Sequence, residues 1–222
     1  HRDLHSFPTR RSSDLDKCEK YETWDKASIT EKKPVNVLLD QYRLPPTISN
    51  MIASIFYPKI GNFNQKTTDF DQNWIYSPEQ IIGNQLVWVN TGFNAKYFEE
   101  KYSHYKNLNE AKLILQILSQ IQIKEVNKSN FSIAILTPYN EQKDLIAQYI
   151  PDSLPNIPVA SLRDCIYSVD SFQGQQADLI IISTVRSNLK MHSRQAFGFT
   201  TQMERLNVML SRTLKKLVIV GN

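Results

Sequence analysis

The 222-residue chain holds two cysteines, Cys18 and Cys165, too few and too far apart for a disulfide framework or a cysteine zinc site. They fit a reduced intracellular setting, cytoplasmic or nuclear. Histidine is nearly as scarce: with His1 and His5 set aside for the reason given below, His104 and His192 remain, which argues against a histidine metal centre. No run approaches the ~18 apolar residues of a membrane span, so no membrane partner is expected. Internal repeats and low-complexity tracts are absent. So is a phosphate-cradling loop of the form GxxxxGK[ST], together with the carboxylate pair that would hold magnesium beside it.

The first fifteen residues, HRDLHSFPTRRSSDL, open like a protein-kinase catalytic loop, whose Asp accepts the proton of a substrate hydroxyl. That reading fails because Pro8 stands where the loop needs a magnesium-binding Asn, and no DFG follows. The segment instead resembles one translated frame of a common short-read sequencing adapter. Residues 1–15 are therefore expected to be non-native and are excluded from fold reasoning. The missing phosphate loop is ascribed to truncation on the same ground. Setting aside three Arg and two Asp leaves 23 basic against 20 acidic residues, a mild excess that permits an anionic partner without demanding one.

The remainder alternates strands and helices. VNVLL (35–39) and QLVWVN (85–90) read as strands, and a Pro-Pro opens the helical TISNMIASIFY. Residues 58–84, rich in Asn, Gln, Pro and Gly, read as an irregular surface insertion. Ile114, Ile117, Leu118 and Ile121 fall at i, i+3, i+4, i+7 and make one apolar helical stripe. FSIAIL (131–136), CIYSV and LIIIS (179–183) read as strands, NEQKDLIAQYI (140–150) and residues near 202–211 as helices, and LVIVG (217–221) as the last strand. Continuous apolar strands separated by helices indicate a parallel sheet covered on both faces, an α/β three-layer domain over 35–222 that follows a linker at 16–34.

Ligands of such sheets sit at the carboxyl ends of strands. The polar residues there are Gln41-Tyr42-Arg43, Thr137-Pro138-Tyr139, Asp170 to Gly174 and Ser183 to Arg186. Arg reads phosphate with two parallel bonds and Tyr offers a stacking face, so a phosphate-rich, base-bearing partner suits them. Ordinary loop polarity is the plainer alternative.

QYRLPPTISNMIASIFY, NEA (109–111), ILTPYNEQ, VDSFQGQQADLIIISTVRSN, GF (198–199) and RLNVMLSRTLKKLVIVGN stand in the order found in one family. Together they resemble the second RecA-like domain of superfamily 1 helicases, in the branch of the nonsense-mediated-decay and Sen-type RNA/DNA helicases. The resemblance implies a P-loop NTPase superfamily fold and a mostly parallel sheet. It implies that Tyr42 stacks on adenine beside Gln41, and that Arg43 and Arg212 reach the triphosphate. Gly174 and Gln176 correspond to nucleotide-side positions; the family usually places Glu at the latter, and a glutamine amide still accepts a bond from a ribose hydroxyl but carries no charge. Thr137 and Tyr139 correspond to residues near the nucleic-acid track, with strand-end packing as the alternative, and Ser171 and Gln173 to positions that contact either nucleic-acid phosphate or the nucleotide-side network. ATP and Mg2+ are implied as cofactors, held mainly by a missing N-terminal RecA-like domain, with single-stranded RNA or DNA as the other partner. The chain alone, lacking Walker A and B, is then expected to be inactive. The rival expectation is a non-catalytic nucleic-acid-binding or regulatory module, favoured by Gln176.

Overall fold

In the computed structural model the described residues are 39–58, 61–67, 74–92, 94–101, 105–124 and 130–222. The adapter-like segment, the linker and the expected strand at 35–39, apart from Leu39, lie outside them. The chain divides into two units, His1–Asp40 and Gln41–Asn222, and the main sheet lies wholly within the second. Its strands are β1 (Leu86–Asn90), β2 (Ile133–Thr137), β3 (Ile166–Ser168), β4 (Ala177–Ser183) and β5 (Thr213–Gly221). The helices are α1 (Pro46–Phe56), α2 (Leu108–Gln120), α3 (Asn140–Tyr149), the short α4 (Ser193–Phe197) and α5 (Met203–Leu210). No helix among the described residues is long and apolar enough to cross a membrane.

The sheet runs β1-β5-β4-β2-β3 and every neighbouring pair is parallel. All seven residues of β4 are buried, which explains the continuous apolar run 179–182 at its centre. Because side chains alternate along a strand, Leu179 and Ile181 join one core with Ile114, Ile117 and Leu118 of α2 and Ile146 of α3. Ile180 and Ile182 join a second core with Ile48 and Ile52 of α1 and Met209 and Leu210 of α5. Two helical layers thus enclose the sheet, giving the expected α/β/α sandwich. The 3.6-residue stripe of α2 is buried as its spacing requires, and Asn107 caps that helix by accepting the Glu110 backbone N–H at 3.1 Å.

The insertion at 58–84 departs from its expected surface character. Trp74, Ile75 and Ile81 are buried in the first core, and Ile75 pairs antiparallel with Ile123 just beyond α2. Lys216 of β5 is fully buried as well; its Nζ donates to the carbonyl oxygens of Ile81 and Asn84 and so ties the insertion to the sheet. Burial lowers the Lys216 pKa to about 8.

The central strand sets the tolerance of the fold to cavities. Ile181→Ala empties a site enclosed on both sides, and chemical denaturation is expected to show a loss of roughly 2–5 kcal/mol at unchanged m-value. A loss below ~1 kcal/mol would mean that β4 is not the packed centre of the sheet.

Candidate functional site

The strand order reverses between β2 and β4. From β2 the chain passes through α3 on one face to β3; from β4 it passes through α5 on the other face to β5. Helices leaving in opposite directions open a crevice at the carboxyl ends of β2 and β4, which is where doubly wound sheets take ligands. Thr137 and Tyr139 line one side and Ser183 to Arg186 the other.

This crevice is built from buried polar groups. Glu110 is fully buried, and its carboxylate accepts bonds from the Ser183 hydroxyl at 2.6 Å, the Val185 amide at 2.9 Å and the Thr184 hydroxyl at 3.4 Å. Gln142 joins the cluster, donating to Ser183 Oγ at 3.0 Å and accepting from the Asn107 amide at 2.7 Å. Val185 has φ +71°, the one non-glycine residue with positive φ among the described residues, and a β-branched side chain is strained there. The Glu110 and Asn107 side chains bond the Val185 amide and carbonyl and so hold that conformation.

Beyond Val185, Arg186 is buried in an ion pair with Glu99 at 3.4 Å, and its guanidinium carbon lies 3.8 Å from the centre of the Tyr105 ring. Tyr105 meets Tyr139 edge-on at 5.6 Å, and the Tyr139 hydroxyl accepts the Phe199 amide at 3.3 Å. Gly198 is required beneath this stack, since it has φ +54° and a Cβ there would lie 2.6 Å from the Tyr139 oxygen. Thr137 is fully buried with a hydroxyl that has no partner among the described residues.

The arginine candidates lie at the other edge. Gln41 is buried and folds the turn before α1: its Oε1 accepts the Leu44 amide at 2.6 Å and the Arg43 amide, and its Nε2 donates to the Leu44 carbonyl at 2.9 Å. That turn leaves the Tyr42 ring 64% exposed and Arg43 half-buried. Close by, the Thr47 amide of α1 donates to Gln85 Oε1 at 3.0 Å, just before β1 begins. Arg212 precedes β5, and its carbonyl accepts the Ala177 amide, the first of β4, at 3.2 Å. Both arginines therefore stand at the amino edge of the sheet. Burial, and then the Arg43 charge, push the Arg212 pKa down. Its Nε is buried without a hydrogen bond among the described residues. Arg205, by contrast, is engaged with Asp170 at 3.1 Å.

Residues 169–176 connect the two edges. The segment leaves Ser168, level with Thr137, and reaches Ala177, level with Thr213, with Val169 and Phe172 buried on the second core. Ser171 is exposed and bonded to Ser168 through its hydroxyl at 3.0 Å; Gln173 and Gln176 are exposed. Gly174 turns with φ +89° into open space, a conformation that glycine adopts without strain. Thus the structure brings Arg43 and Arg212 together, keeps Thr137 and Tyr139 at the opposite edge, and strings Ser171, Gln173, Gly174 and Gln176 between. Arg212, taken from the helicase resemblance and not from strand ends, stands just before its strand begins.

Glu110, Asn107 and Gln142 went unassigned in the sequence. The spacing Asn107-x-x-Glu110 is that of a capping box, which would send the Glu side chain back to the cap amide. Here that amide is taken by Gln142, and Glu110 turns to β4 instead.

Comparison with known proteins agrees in kind. The AAA domain family matches residues 19–222. The regulator of nonsense transcripts 1 homolog of Arabidopsis thaliana is 29% identical over 86% of this chain and 14% of its own length. The probable helicase senataxin of Homo sapiens is 27% identical over 88% of this chain and 7% of its own. The ATP-dependent helicase NAM7 of Saccharomyces cerevisiae is 31% identical over 82% and 18%. The chain therefore spans less than a fifth of each of these relatives.

Burial raises the Glu110 pKa from 4.5 to about 7, partly opposed by the bonds from Ser183, Val185 and Thr184. A raised carboxyl pKa supplies stability that is full below 4.5 and is lost as pH rises through about 7, on the order of 3 kcal/mol over that interval. Thermal denaturation should show the unaltered chain losing ground to Glu110→Gln as pH rises from acid to neutral. A constant difference between the two would mean that the carboxyl titrates normally.

Proposed function

The chain belongs to the AAA domain family, and on that footing we propose that it is the second RecA-like domain of an ATP-dependent helicase acting on single-stranded RNA or DNA. Its amino edge supplies half of a composite ATPase cleft, and its carboxyl edge supplies half of a single-strand track. A preceding RecA-like domain completes both.

The observation that carries this reading is the pair Arg43 and Arg212. Arg212 is desolvated beside the Arg43 charge, and its buried Nε has no hydrogen-bond partner among the described residues. An anion between them relieves the repulsion and satisfies the orphaned donor. A triphosphate has the required charge, and the exposed Tyr42 ring beside Arg43 offers a stacking face for its base. Arg212 then acts as an arginine finger, stabilising charge that grows on the γ-phosphoryl oxygens as water displaces the diphosphate. Magnesium neutralises the triphosphate when bound; no group of three potential metal ligands occurs among the described residues, and the proposal leaves that ion to the first domain. Closure on ATP and reopening after hydrolysis would alternate the grip on the strand.

Gln176 favours a second reading, a regulatory module that kept the fold and lost turnover, since a neutral amide accepts a weaker bond from a ribose hydroxyl than a carboxylate does.

Kinetics of a protein carrying this domain joined to its first domain separate the two. Arg212→Ala is expected to lower kcat by ~10³–10⁵ with a small effect on nucleotide affinity, because its bond is made chiefly in the transition state. Tyr42→Ala should mainly raise the KM for ATP. Nucleic-acid-stimulated hydrolysis that survives Arg212→Ala would overturn the composite cleft, whereas no hydrolysis by the unaltered two-domain protein would leave the regulatory reading in place.

A further inference from the structure

The loop after β4 is pinned at its base and open at its tip. Glu99 accepts the Ser187 amide at 2.7 Å and the Asn188 side-chain amide at 2.8 Å. Asn188 also donates to the Ala196 carbonyl at 3.0 Å, which closes residues 188–196 on themselves, and Arg186 Nε donates to the same carbonyl at 3.1 Å. Seven consecutive residues between these ties, Leu189 to Gln195, are all exposed. Leu189 is 71% exposed, Met191 97% and, just past them, Phe197 57%.

Large apolar side chains scattered singly on a surface need no explanation, but three on one tied loop make a patch. Its charge is of one sign. Lys190 and Arg194 lie among the apolar residues, and no Asp or Glu occurs from Ser187 to Met203. The loop also continues the carboxyl edge: the Lys190 ammonium stands 5.7 Å from the centre of the Tyr105 ring, which in turn packs on Tyr139.

We propose that residues 188–197 form a clasp for single-stranded nucleic acid, in which Leu189, Met191 and Phe197 meet unstacked bases while Lys190 and Arg194 hold the neighbouring phosphates. The inference rests on the single-strand reading above and extends it to a segment outside the motifs that carried that reading. Apolar side chains that slip between bases and cations that follow the backbone are the two means by which proteins hold a strand without reading its sequence. The closed base matters because a clasp already ordered does not lose loop entropy on binding.

Anisotropy titrations of the 222-residue chain with fluorescein-labelled oligouridylate and oligothymidylate, repeated across salt concentrations, test the clasp. Lys190→Ala with Arg194→Ala should weaken binding and flatten the slope of log K against log salt by about 1.4, because two fewer phosphates of the single strand are then neutralised. Leu189→Ser with Met191→Ser should weaken binding at every salt concentration and leave that slope unchanged. Both double variants should melt like the unaltered chain, since neither touches a buried residue. A Met191→Trp variant should show fluorescence quenching on addition of either strand. Binding that survives both double variants with an unchanged slope overturns the clasp alone. Loss of self-association in the Leu189/Met191 variant, with oligonucleotide affinity intact, overturns it in favour of a second copy of the chain. An unaltered chain that binds neither strand overturns the single-strand reading and the clasp with it.

Discussion

Burial of β4 on both faces is the constraint from which the arrangement follows. A seven-residue strand with no solvent face and the apolar run 179–182 at its centre needs a neighbour on each side and a helical layer above and below. Parallel pairing to β2 and β5 supplies the first, and the helices carried by the connections supply the second. Because the connections leave the β2–β4 boundary in opposite directions, packing alone opens a crevice at the carboxyl edge and leaves the amino edge to the turns that enter α1 and β5.

The two edges acquire different electrostatics. At the carboxyl edge Glu110, Ser183, Gln142 and Asn107 spend their polar groups on one another and hold the strained Val185 in place. Such a network is worth its burial only when every member is paired, and it makes a rigid floor beneath the Tyr105–Tyr139 stack. At the amino edge, burial and the nearby Arg43 charge lower the Arg212 pKa, and the Arg212 Nε is buried without a hydrogen bond among the described residues. Residues 169–176 run between the edges, with Val169 and Phe172 buried in the second core.

Much of this was legible in the sequence because apolar runs and helical spacing report local burial directly. The runs 131–136 and 179–183 and the stripe at Ile114, Ile117, Leu118 and Ile121 fell where backbone periodicity puts them. What stayed hidden depends on tertiary partners. Trp74-Ile75 and Ile81 sit in short apolar clusters without a period amid polar residues, and their burial depends on packing in the first core, where Ile75 pairs with Ile123. Lys215 and Lys216 look alike in sequence, yet Lys215 pairs with Asp178 at 2.9 Å while Lys216 faces two carbonyls inside the protein. The register of β4 against β5 shifts at that level, between Ala177 and Leu179. The inward turn of Glu110 depends on Ser183, 73 positions away. Strand-end reasoning located Thr137 and Tyr139, while the nearness of Arg212 to Arg43 was legible only through the helicase resemblance.

The central claim is that nucleotide and single strand engage opposite edges of one sheet. Amide chemical-shift mapping of the isotopically labelled chain tests it most directly, with a non-hydrolysable ATP analogue and a short single strand titrated separately. The analogue should move the amides of Arg43, Gly174, Arg212 and Thr213, and the strand those of Tyr139, Ser187, Lys190 and Phe199. Shifts from both ligands converging on one edge would contradict the account.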